Sequence, residues 1–151
     1  MTLTTAAAKV LLAEDNDNDV ELTRIGFDMA GLPVQLYHVA DGEECLAFLR
    51  REGLHADAPL PDLVLLDLNM PRMDGRQVLQ ALKNDARLRR LPIVVLTSSE
   101  ADADVLAAYD LGCNAYVVKP LAFEQFARVV RTLAEHWFAT VALPTRRPPK
   151  P

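Results

Sequence analysis

The sequence predicts an α/β fold built on a doubly wound, five-stranded parallel sheet. Five short apolar runs alternate along the chain with five segments in which apolar residues recur at helical spacing. The run Leu63–Leu68 holds five near-continuous apolar positions, a pattern typical of a strand buried on both faces. Strands that alternate with helices pair in parallel through right-handed crossovers, so one sheet covered by helices on both faces is expected.

Composition limits the classes of function. The chain has 151 residues, half of them hydrophobic and a quarter charged, as in one globular domain. Its net charge of -5 argues against a nucleic-acid partner, which requires a basic face. No apolar run approaches the roughly 20 residues of a membrane span, and no secretory signal is recognisable. We therefore expect a cytoplasmic protein with no membrane contact, in which Cys45 and Cys113 are buried thiols.

Each predicted element has local sequence support. Gly31 and Gly112 are expected to end the first and fourth helices, and Asp74 and Ser99 to cap the third and fourth. The three histidines share no spacing and are interpreted as surface or packing residues. The predicted strands are Lys9–Ala13, Val34–Ala40, Leu63–Leu66, Pro92–Thr97 and Ala115–Val118.

Polar residues stand directly after four of these strands. Glu14 and Asp15 follow the first strand, Asp67 ends the third, Thr97 ends the fourth and Lys119 follows the fifth. The carboxyl ends of parallel strands lie at one edge of the sheet, which is where α/β proteins bind ligands. We expect three carboxylates, one hydroxyl and one ammonium to share a crevice there.

Three adjacent carboxylates repel one another, and a hard divalent cation relieves that repulsion. Mg²⁺ takes oxygen ligands and keeps several waters, so few protein ligands suffice. Asp15 and Asp67 are the candidates for direct ligation, with the backbone carbonyl of Asn69. Glu14 is longer and is expected to act through water.

The same crevice suits phosphoryl transfer to a carboxylate. Asp67 is the candidate nucleophile, able to form an aspartyl phosphate. Mg²⁺ and Lys119 would offset the charge of the phosphoryl group, and the Thr97 hydroxyl would bond one of its oxygens.

These residues resemble the response-regulator receiver family over about residues 9–138, with residues 1–8 expected to be disordered. The resemblance implies a (βα)5 flavodoxin-like receiver fold with phosphorylation at Asp67. Glu14 departs from the pattern, because many members have Asp there. The motifs that match in order and spacing are Glu14-Asp15, the run Leu66–Pro71 with Asp74-Gly75, Thr97-Ser98 and Lys119-Pro120.

The resemblance also implies roles for individual residues. Mg²⁺ would bind at Asp15, Asp67 and the Asn69 carbonyl. Thr97 and Tyr116 would form a switch pair that couples phosphorylation to the surface of the fourth helix, fifth strand and fifth helix. A cis peptide between Lys119 and Pro120 would aim the lysine inward.

A second resemblance concerns the edges of the chain. The loop Glu52–Asp62, the run Pro61–Asn69 and the ending Trp137–Pro144 look like single-domain regulators that serve phytochrome histidine kinases. This likeness implies a bacterial red-light photoreceptor kinase, a bacteriophytochrome, as phosphodonor. It also implies a homodimer.

Residues 139–151 are predicted to form a C-terminal arm and a disordered tail. The last helix is expected to run to about Phe138 and to be followed by an extended arm. Trp137, Phe138, Val141 and Leu143 would form an exposed apolar patch, which soluble monomers seldom carry unless it serves binding. We expect this arm to be exchanged between two copies. The alternative is that it folds back on the fourth or fifth helix of its own chain.

Three other functions remain as alternatives. A phosphorelay intermediate would pass the phosphoryl group to a histidine phosphotransfer protein. A Mg-dependent aspartyl phosphohydrolase needs an acid two residues after the nucleophile, where this chain has Asn69. A flavin or nucleotide module needs a phosphate-binding loop after the first strand, where Glu14 and Asp15 would repel phosphate. Apart from catalysing its own phosphorylation and dephosphorylation, the protein is not expected to be an enzyme.

Overall fold

The computed structural model describes residues 7–146 of the chain and shows five strands and five α-helices in alternation. Within these residues no helix is long and apolar enough to cross a membrane. The elements are β1 (Ala8–Ala13), α1 (Asp17–Ala30), β2 (Val34–Val39), α2 (Gly42–Arg50), β3 (Leu63–Leu66), α3 (Gly75–Lys83), β4 (Ile93–Thr97), α4 (Asp102–Asp110), β5 (Ala115–Val118) and α5 (Phe123–Glu135).

All five strands pair in parallel, in the order β2-β1-β3-β4-β5. This order confirms the predicted doubly wound fold. The direction of winding reverses between β1 and β3, and the carboxyl ends of strands at such a reversal leave a crevice. The site described below lies at that edge.

The sheet separates two apolar layers, because successive residues of a strand point to opposite faces. Leu11 of β1 and Val64 of β3 pack with apolar residues of α2, α3 and α4. Their neighbours Leu12 and Leu65 pack on the other face with residues of α1 and α5. Burial on both faces explains why β3 is a continuous apolar run rather than an alternating one.

Gly26 lets α1 and α5 pack closely. A Cβ atom at this position would lie 2.5 Å from the Cβ atom of Val130 and 2.8 Å from the carbonyl oxygen of Ala127. At the end of α1, Gly31 has a φ of 67°, a left-handed conformation that glycine adopts without strain. Gly31 therefore ends α1 as predicted.

The C-terminal segment differs from the extended arm that the sequence suggested. The helical path continues past α5 as a π-helical turn, His136–Thr140, and the extended conformation begins at Val141. Trp137 and Phe138 pack against the layer of α1 and α5, because one more turn of helix brings them over apolar surface. The prediction that the helix stops near Phe138 was wrong by about two residues.

Beyond the π-helical turn, the chain folds back on its own domain. Leu143 is buried, and the Thr145 hydroxyl donates a hydrogen bond to Asp62, directly before β3. The fold-back therefore reaches the amino edge of the sheet rather than α4 or α5. The prediction of disorder from the residue after Leu143 was wrong for Pro144–Arg146, which form a short 3-10 helix, and Ala8, also expected to be disordered, belongs to β1. The rest of the predicted tail and of residues 1–8, apart from Ala7, lies outside the described residues.

Candidate functional site

The carboxyl edge of the sheet brings together the polar residues that follow four strands. Glu14, Asp67 and Thr97 are buried there, while Asp15 is exposed. The Lys119 side chain is only 8% exposed. A buried cluster of this kind requires mutual pairing, since unpaired buried charges are strongly destabilising.

The carboxylate of Asp67 is held through both oxygens. Oδ1 accepts a hydrogen bond from the Thr97 hydroxyl at 2.8 Å and another from the Asn69 backbone N–H at 3.1 Å. Oδ2 accepts from Lys119 Nζ at 3.0 Å. The Asp67 backbone N–H donates to the carbonyl of Ala13 at 3.0 Å, which fixes the residue against the end of β1. One orientation of the carboxylate is therefore selected.

Lys119 donates to three carboxylates. Its ammonium lies 2.5 Å from Glu14 Oε1, 2.8 Å from Asp19 Oδ2 and 3.0 Å from Asp67 Oδ2. An ammonium has three N–H bonds, so each carboxylate can accept one. These contacts keep a buried cation paired on every side.

The lysine reaches this position without the expected cis peptide. Among residues 7–146 no peptide bond is cis, so the bond between Lys119 and Pro120 is trans and the expectation was wrong. The Lys119 backbone N–H donates to the Thr97 carbonyl at 2.8 Å, which extends the pairing of β4 and β5 by one residue. From that point the long side chain spans the crevice by itself.

The crowded charges shift the pKa values of the cluster in opposite directions. Burial, with the nearby charge of Asp67, raises the pKa of Glu14 to about 8 despite the hydrogen bond from Lys119. Burial also acts to raise the pKa of Asp67, but the charge of Lys119 and the Thr97 hydroxyl outweigh it, so that pKa is lowered. Burial opposes the charged form of Lys119, yet its bonds to Asp19 and Glu14 raise its pKa. The lowered pKa of Asp67 favours its anionic form, and the raised pKa of Glu14 favours the protonated form beside it.

The donor set fits a hard divalent cation. One carboxylate oxygen from each of Glu14, Asp15 and Asp67 lies within 4.8 Å of the others. Oxygen donors around a 2+ ion are the chemistry of Mg²⁺ sites, and the ion would replace the proton on Glu14. Ligation by the Asn69 carbonyl stays a prediction.

The loop after β3 is held tightly against Asp67. A Cβ atom at Gly75 would lie 2.4 Å from the Asp67 carbonyl oxygen, so only glycine fits there. The Gly75 backbone N–H donates to the carbonyl of Leu68 at 3.0 Å. Asp74 caps α3 in a capping box with Gln77, as predicted.

An ion pair that the sequence did not indicate joins this loop to the start of α2. Arg72 donates to Asp41 Oδ2 through Nε at 2.9 Å and Nη2 at 2.5 Å. The Gly42 backbone N–H donates to the Met73 carbonyl at 3.0 Å. Asp41 was identifiable as a turn residue, but its partner 31 positions away leaves no local signal.

The proposed switch residues are both hydrogen-bonded. Thr97 donates to Asp67, as described, and the Tyr116 hydroxyl donates to the backbone carbonyl of Ser99 at 2.8 Å. Ser99 lies two residues after Thr97, so both side chains act on the same short segment after β4. A short stretch of backbone and one hydrogen bond therefore connect Thr97 to Tyr116.

Ser99 has a different partner from the one expected. Its hydroxyl donates to Asp104 Oδ2 at 2.5 Å, and Arg76 Nη2 donates to Asp104 Oδ1 at 2.6 Å. The N-cap of α4 is Ala101, so the prediction of Ser99 as that cap was wrong. α4 begins at Asp102, two residues later than a cap at Ser99 would require.

Two further site residues were missed. Asp19 contacts Lys119 from the first turn of α1, and because the two residues are 100 positions apart no local pattern indicated this contact. His38 Nε2 donates to the carbonyl of Glu14, the two atoms 2.7 Å apart. A lone histidine at the end of an edge strand carries no such signal in the sequence.

This arrangement agrees with the comparisons to known proteins. A family model described as the response regulator receiver domain matches residues 10–131. The chain belongs to the response regulator receiver domain family. The family assignment agrees with the order of the strands in the sheet and with the acidic pair, aspartate, hydroxyl and lysine found at its carboxyl edge.

Similar proteins cover nearly the whole receiver chain. Response regulator Rcp1 of Synechocystis sp. is 37% identical over 135 residues, which are 89% of this chain and 92% of Rcp1. A crystal structure of Rcp1 in its Mn²⁺-bound form covers 91% of this chain and 99% of that one, with 36% identity and a TM-score of 0.86. Metal binding in this relative agrees with the carboxylate cluster found here.

Two other solved structures are similar. The phosphorylated cyanobacterial phytochrome response regulator RcpA is 41% identical, with a TM-score of 0.89 and coverage of 92% of this chain and 99% of RcpA. The response regulator RPA3017 in red light signaling of R. palustris is 39% identical, with a TM-score of 0.84 and coverage of 91% and 98%.

Proposed function

We propose that this response regulator accepts a phosphoryl group on Asp67 from a sensor histidine kinase and signals through the resulting change of shape. The observation that carries the proposal is the position of the Asp67 carboxylate, buried between Thr97, Lys119 and an acidic pair that fits a divalent cation. A lowered pKa keeps Asp67 ionised and therefore nucleophilic at neutral pH.

The transfer step follows from these contacts. A carboxylate oxygen of Asp67 attacks the phosphorus of a phosphohistidine, so that an O–P bond forms, the N–P bond breaks and the histidine leaves. Lys119 and the Thr97 hydroxyl are placed to bond phosphoryl oxygens. Asp15, Asp67 and the Asn69 carbonyl would hold Mg²⁺, with Glu14 acting through water, and the bound ion would supply the positive charge that the phosphoryl oxygens still need. Hydrolysis of the aspartyl phosphate would be catalysed by the same residues.

Asn69 weighs against a phosphohydrolase. Its backbone N–H donates to Asp67, and its amide side chain can neither give nor take the proton of a leaving group. We therefore infer a site that transfers a phosphoryl group to itself and holds it, rather than one that turns over phosphate esters.

The phytochrome and red-light signalling for which RcpA and RPA3017 are described support a bacteriophytochrome kinase as the phosphodonor. Phosphotransfer from the autophosphorylated histidine kinase of a bacteriophytochrome tests this, with the kinase of an unrelated pathway as control. We expect faster transfer from the first kinase and none to Asp67→Asn. Equal rates from both kinases would contradict the partner but not the phosphorylation site. We expect the protein in the cytoplasm, where ATP supplies such kinases.

The output surface is proposed to be the face of α4, β5 and α5. Leu106 and Tyr109 of α4 and Val118 of β5 are exposed apolar side chains on these elements. Tyr116 of β5 is bonded to the segment after β4 and therefore links this face to Asp67. The output would be a protein contact, and we propose no contact with nucleic acid.

We also propose a homodimer in which the C-terminal segments are exchanged. In one chain, Leu143 is buried and Thr145 bonds Asp62. Exchange would make the same contacts between two copies, at little cost in free energy. Trp137, Phe138 and Val141, each half-buried in the single chain, would gain further cover.

Light scattering on the full chain and on a chain cut after Thr140 tests the dimer. The full chain should have twice the monomer mass at tens of micromolar, and the shortened chain should be monomeric. A monomeric full chain in both phosphorylation states would rule the dimer out.

A further inference from the structure

The carboxylates bound by Lys119 come from three different elements. Glu14 ends β1 and Asp67 ends β3, as the strand-end pattern requires. Asp19, whose Oδ2 lies 2.8 Å from Nζ, stands instead in the first turn of α1. Its side chain is 24% exposed, against 8% or less for the other three residues. Asp19 thus holds the lysine from the rim of the crevice.

The first turn of α1 fixes the backbone from which the Asp19 carboxylate extends. The Asp19 backbone N–H donates to the capping side chain of Asn16 at 3.0 Å, and its carbonyl accepts from the Thr23 hydroxyl at 2.7 Å. The helix itself packs along α5 through Gly26. An acceptor on such a rigid element can orient a flexible side chain.

The two other partners of Lys119, Asp67 and Glu14, each have a second role, in phosphorylation and in metal binding respectively. Phosphorylation converts one Asp67 oxygen into an ester oxygen, and Glu14 belongs to the carboxylate cluster that fits the metal. Asp19 has neither role, so its bond to Lys119 can persist while the bonds from Lys119 to Asp67 and Glu14 are replaced. We propose that Asp19 is a positioning residue that keeps Lys119 aimed at the phosphoryl oxygens during transfer. This role rests on the proposed phosphorylation of Asp67.

Charge and position predict opposite effects of neutralising Asp19. If Asp19 contributed only a negative charge, its loss would speed the reaction of an anionic phosphodonor, because repulsion would fall. If Asp19 positions Lys119, its loss frees a long side chain with several rotatable bonds and slows the reaction. Asp17 lies in the same first turn of α1 and is exposed, so Asp17→Asn is the matched control for charge and helix stability.

The first experiment measures phosphorylation by acetyl phosphate at saturating Mg²⁺, by intact mass. We expect Asp19→Asn to react roughly ten-fold more slowly than the wild type, with an unchanged Mg²⁺ affinity and Tm. Asp17→Asn should react at the wild-type rate or faster. An Asp19→Asn rate equal to or above that of the wild type would overturn the proposal, as would a loss that appears wholly as weaker Mg²⁺ binding.

The second experiment needs no phosphorylation. The exchange of the Lys119 ammonium protons with water, followed by NMR in the unphosphorylated full chain, should be several-fold faster in Asp19→Asn than in the wild type or Asp17→Asn. Equal exchange would overturn the positioning role while leaving the proposed function intact. If the wild type gains no phosphoryl group on Asp67 but the exchange differs as expected, the proposed function fails and Asp19 only fixes the resting lysine.

Discussion

Thr97 donates a 2.8 Å hydrogen bond from Oγ1 to Oδ1 of Asp67, and both side chains are buried. The bond joins the carboxyl ends of β3 and β4. Two residues after Thr97, the carbonyl of Ser99 accepts from the Tyr116 hydroxyl. A change at Asp67 can therefore reach Tyr116 through one short segment of backbone.

Removing the Thr97 hydroxyl should uncouple phosphorylation of Asp67 from the conformational response at Tyr116. Thr97→Val keeps the shape of the side chain but cannot donate, whereas Thr97→Ser keeps the donor. We expect Thr97→Val to be phosphorylated to the same final extent as the wild type, with phosphorylation-induced chemical shifts around Tyr116 reduced by at least half. Thr97→Ser should retain them. Full-sized shifts in Thr97→Val would show that the signal takes another route.

The raised pKa of Glu14 predicts a pH-dependent stability without divalent ions. Because the folded-state pKa is about 8, the stability contributed by neutral Glu14 is present at acid pH. It is lost as pH rises from the ordinary carboxyl range to about 8. The amide introduced by Glu14→Gln stays neutral at every pH. In EDTA, the Tm of Glu14→Gln should therefore rise relative to that of the wild type between pH 5 and pH 8. Each kcal/mol of unfolding free energy corresponds to roughly 2–4 °C in Tm.

Thermal unfolding at several pH values measures this difference. Asp15 is an exposed residue of the same cluster, so Asp15→Asn serves as the control. Its Tm difference from the wild type should change less with pH than that of Glu14→Gln. A constant difference between Glu14→Gln and the wild type from pH 5 to pH 8 would contradict the assignment of a protonated Glu14.

Arg72 should stabilise the fold through its ion pair with Asp41, so its contribution should depend on the presence of Asp41. Burial acts to raise the pKa of Asp41, but the Glu44 backbone N–H and the Arg72 guanidinium lower it overall. Asp41→Ala removes the N-cap of α2 and should cost about 1 kcal/mol or more in the free energy of unfolding. Arg72→Ala should cost less, because the cap remains.

A double-mutant cycle separates the pair from the cap. Arg72→Ala should lower Tm in the wild type and change it little in the Asp41→Ala background. A lowered pKa stabilises the fold above the ordinary carboxyl range, so the effect of Arg72→Ala should shrink as pH falls below that range and vanish once it is below the lowered pKa of Asp41. Additive losses in Tm would mean that Arg72 acts independently of Asp41.

The fold was predictable because its signals are local. The apolar run of β3, the glycine that ends α1 and the cap at Asp74 each depend on neighbouring residues. The C-terminal segment was less predictable, because its course depends on contacts with distant parts of the chain. Trp137 packs on the apolar layer of α1 and α5, and Thr145 bonds Asp62. Sequence pattern alone could not weigh these contacts against an extended arm.

The site was predictable where it depends on strand ends. Parallel pairing places Asp67, Thr97 and Lys119 at one edge regardless of loop details. Asp19 and Arg72 were missed because their partners lie 100 and 31 positions away, and only the folded chain brings them together. The expectation of a cis peptide between Lys119 and Pro120 came from the family resemblance alone, and the bond in this chain is trans.

The central claim, that Asp67 accepts the phosphoryl group, is tested most directly by intact mass. The wild type and Asp67→Asn are incubated with Mg²⁺ and acetyl phosphate, and the same reaction is run in EDTA. We predict that the wild type gains the mass of one phosphoryl group only with Mg²⁺, and that Asp67→Asn gains none. If Asp67→Asn gains that mass at the wild-type rate, Asp67 is not the acceptor and the account is contradicted.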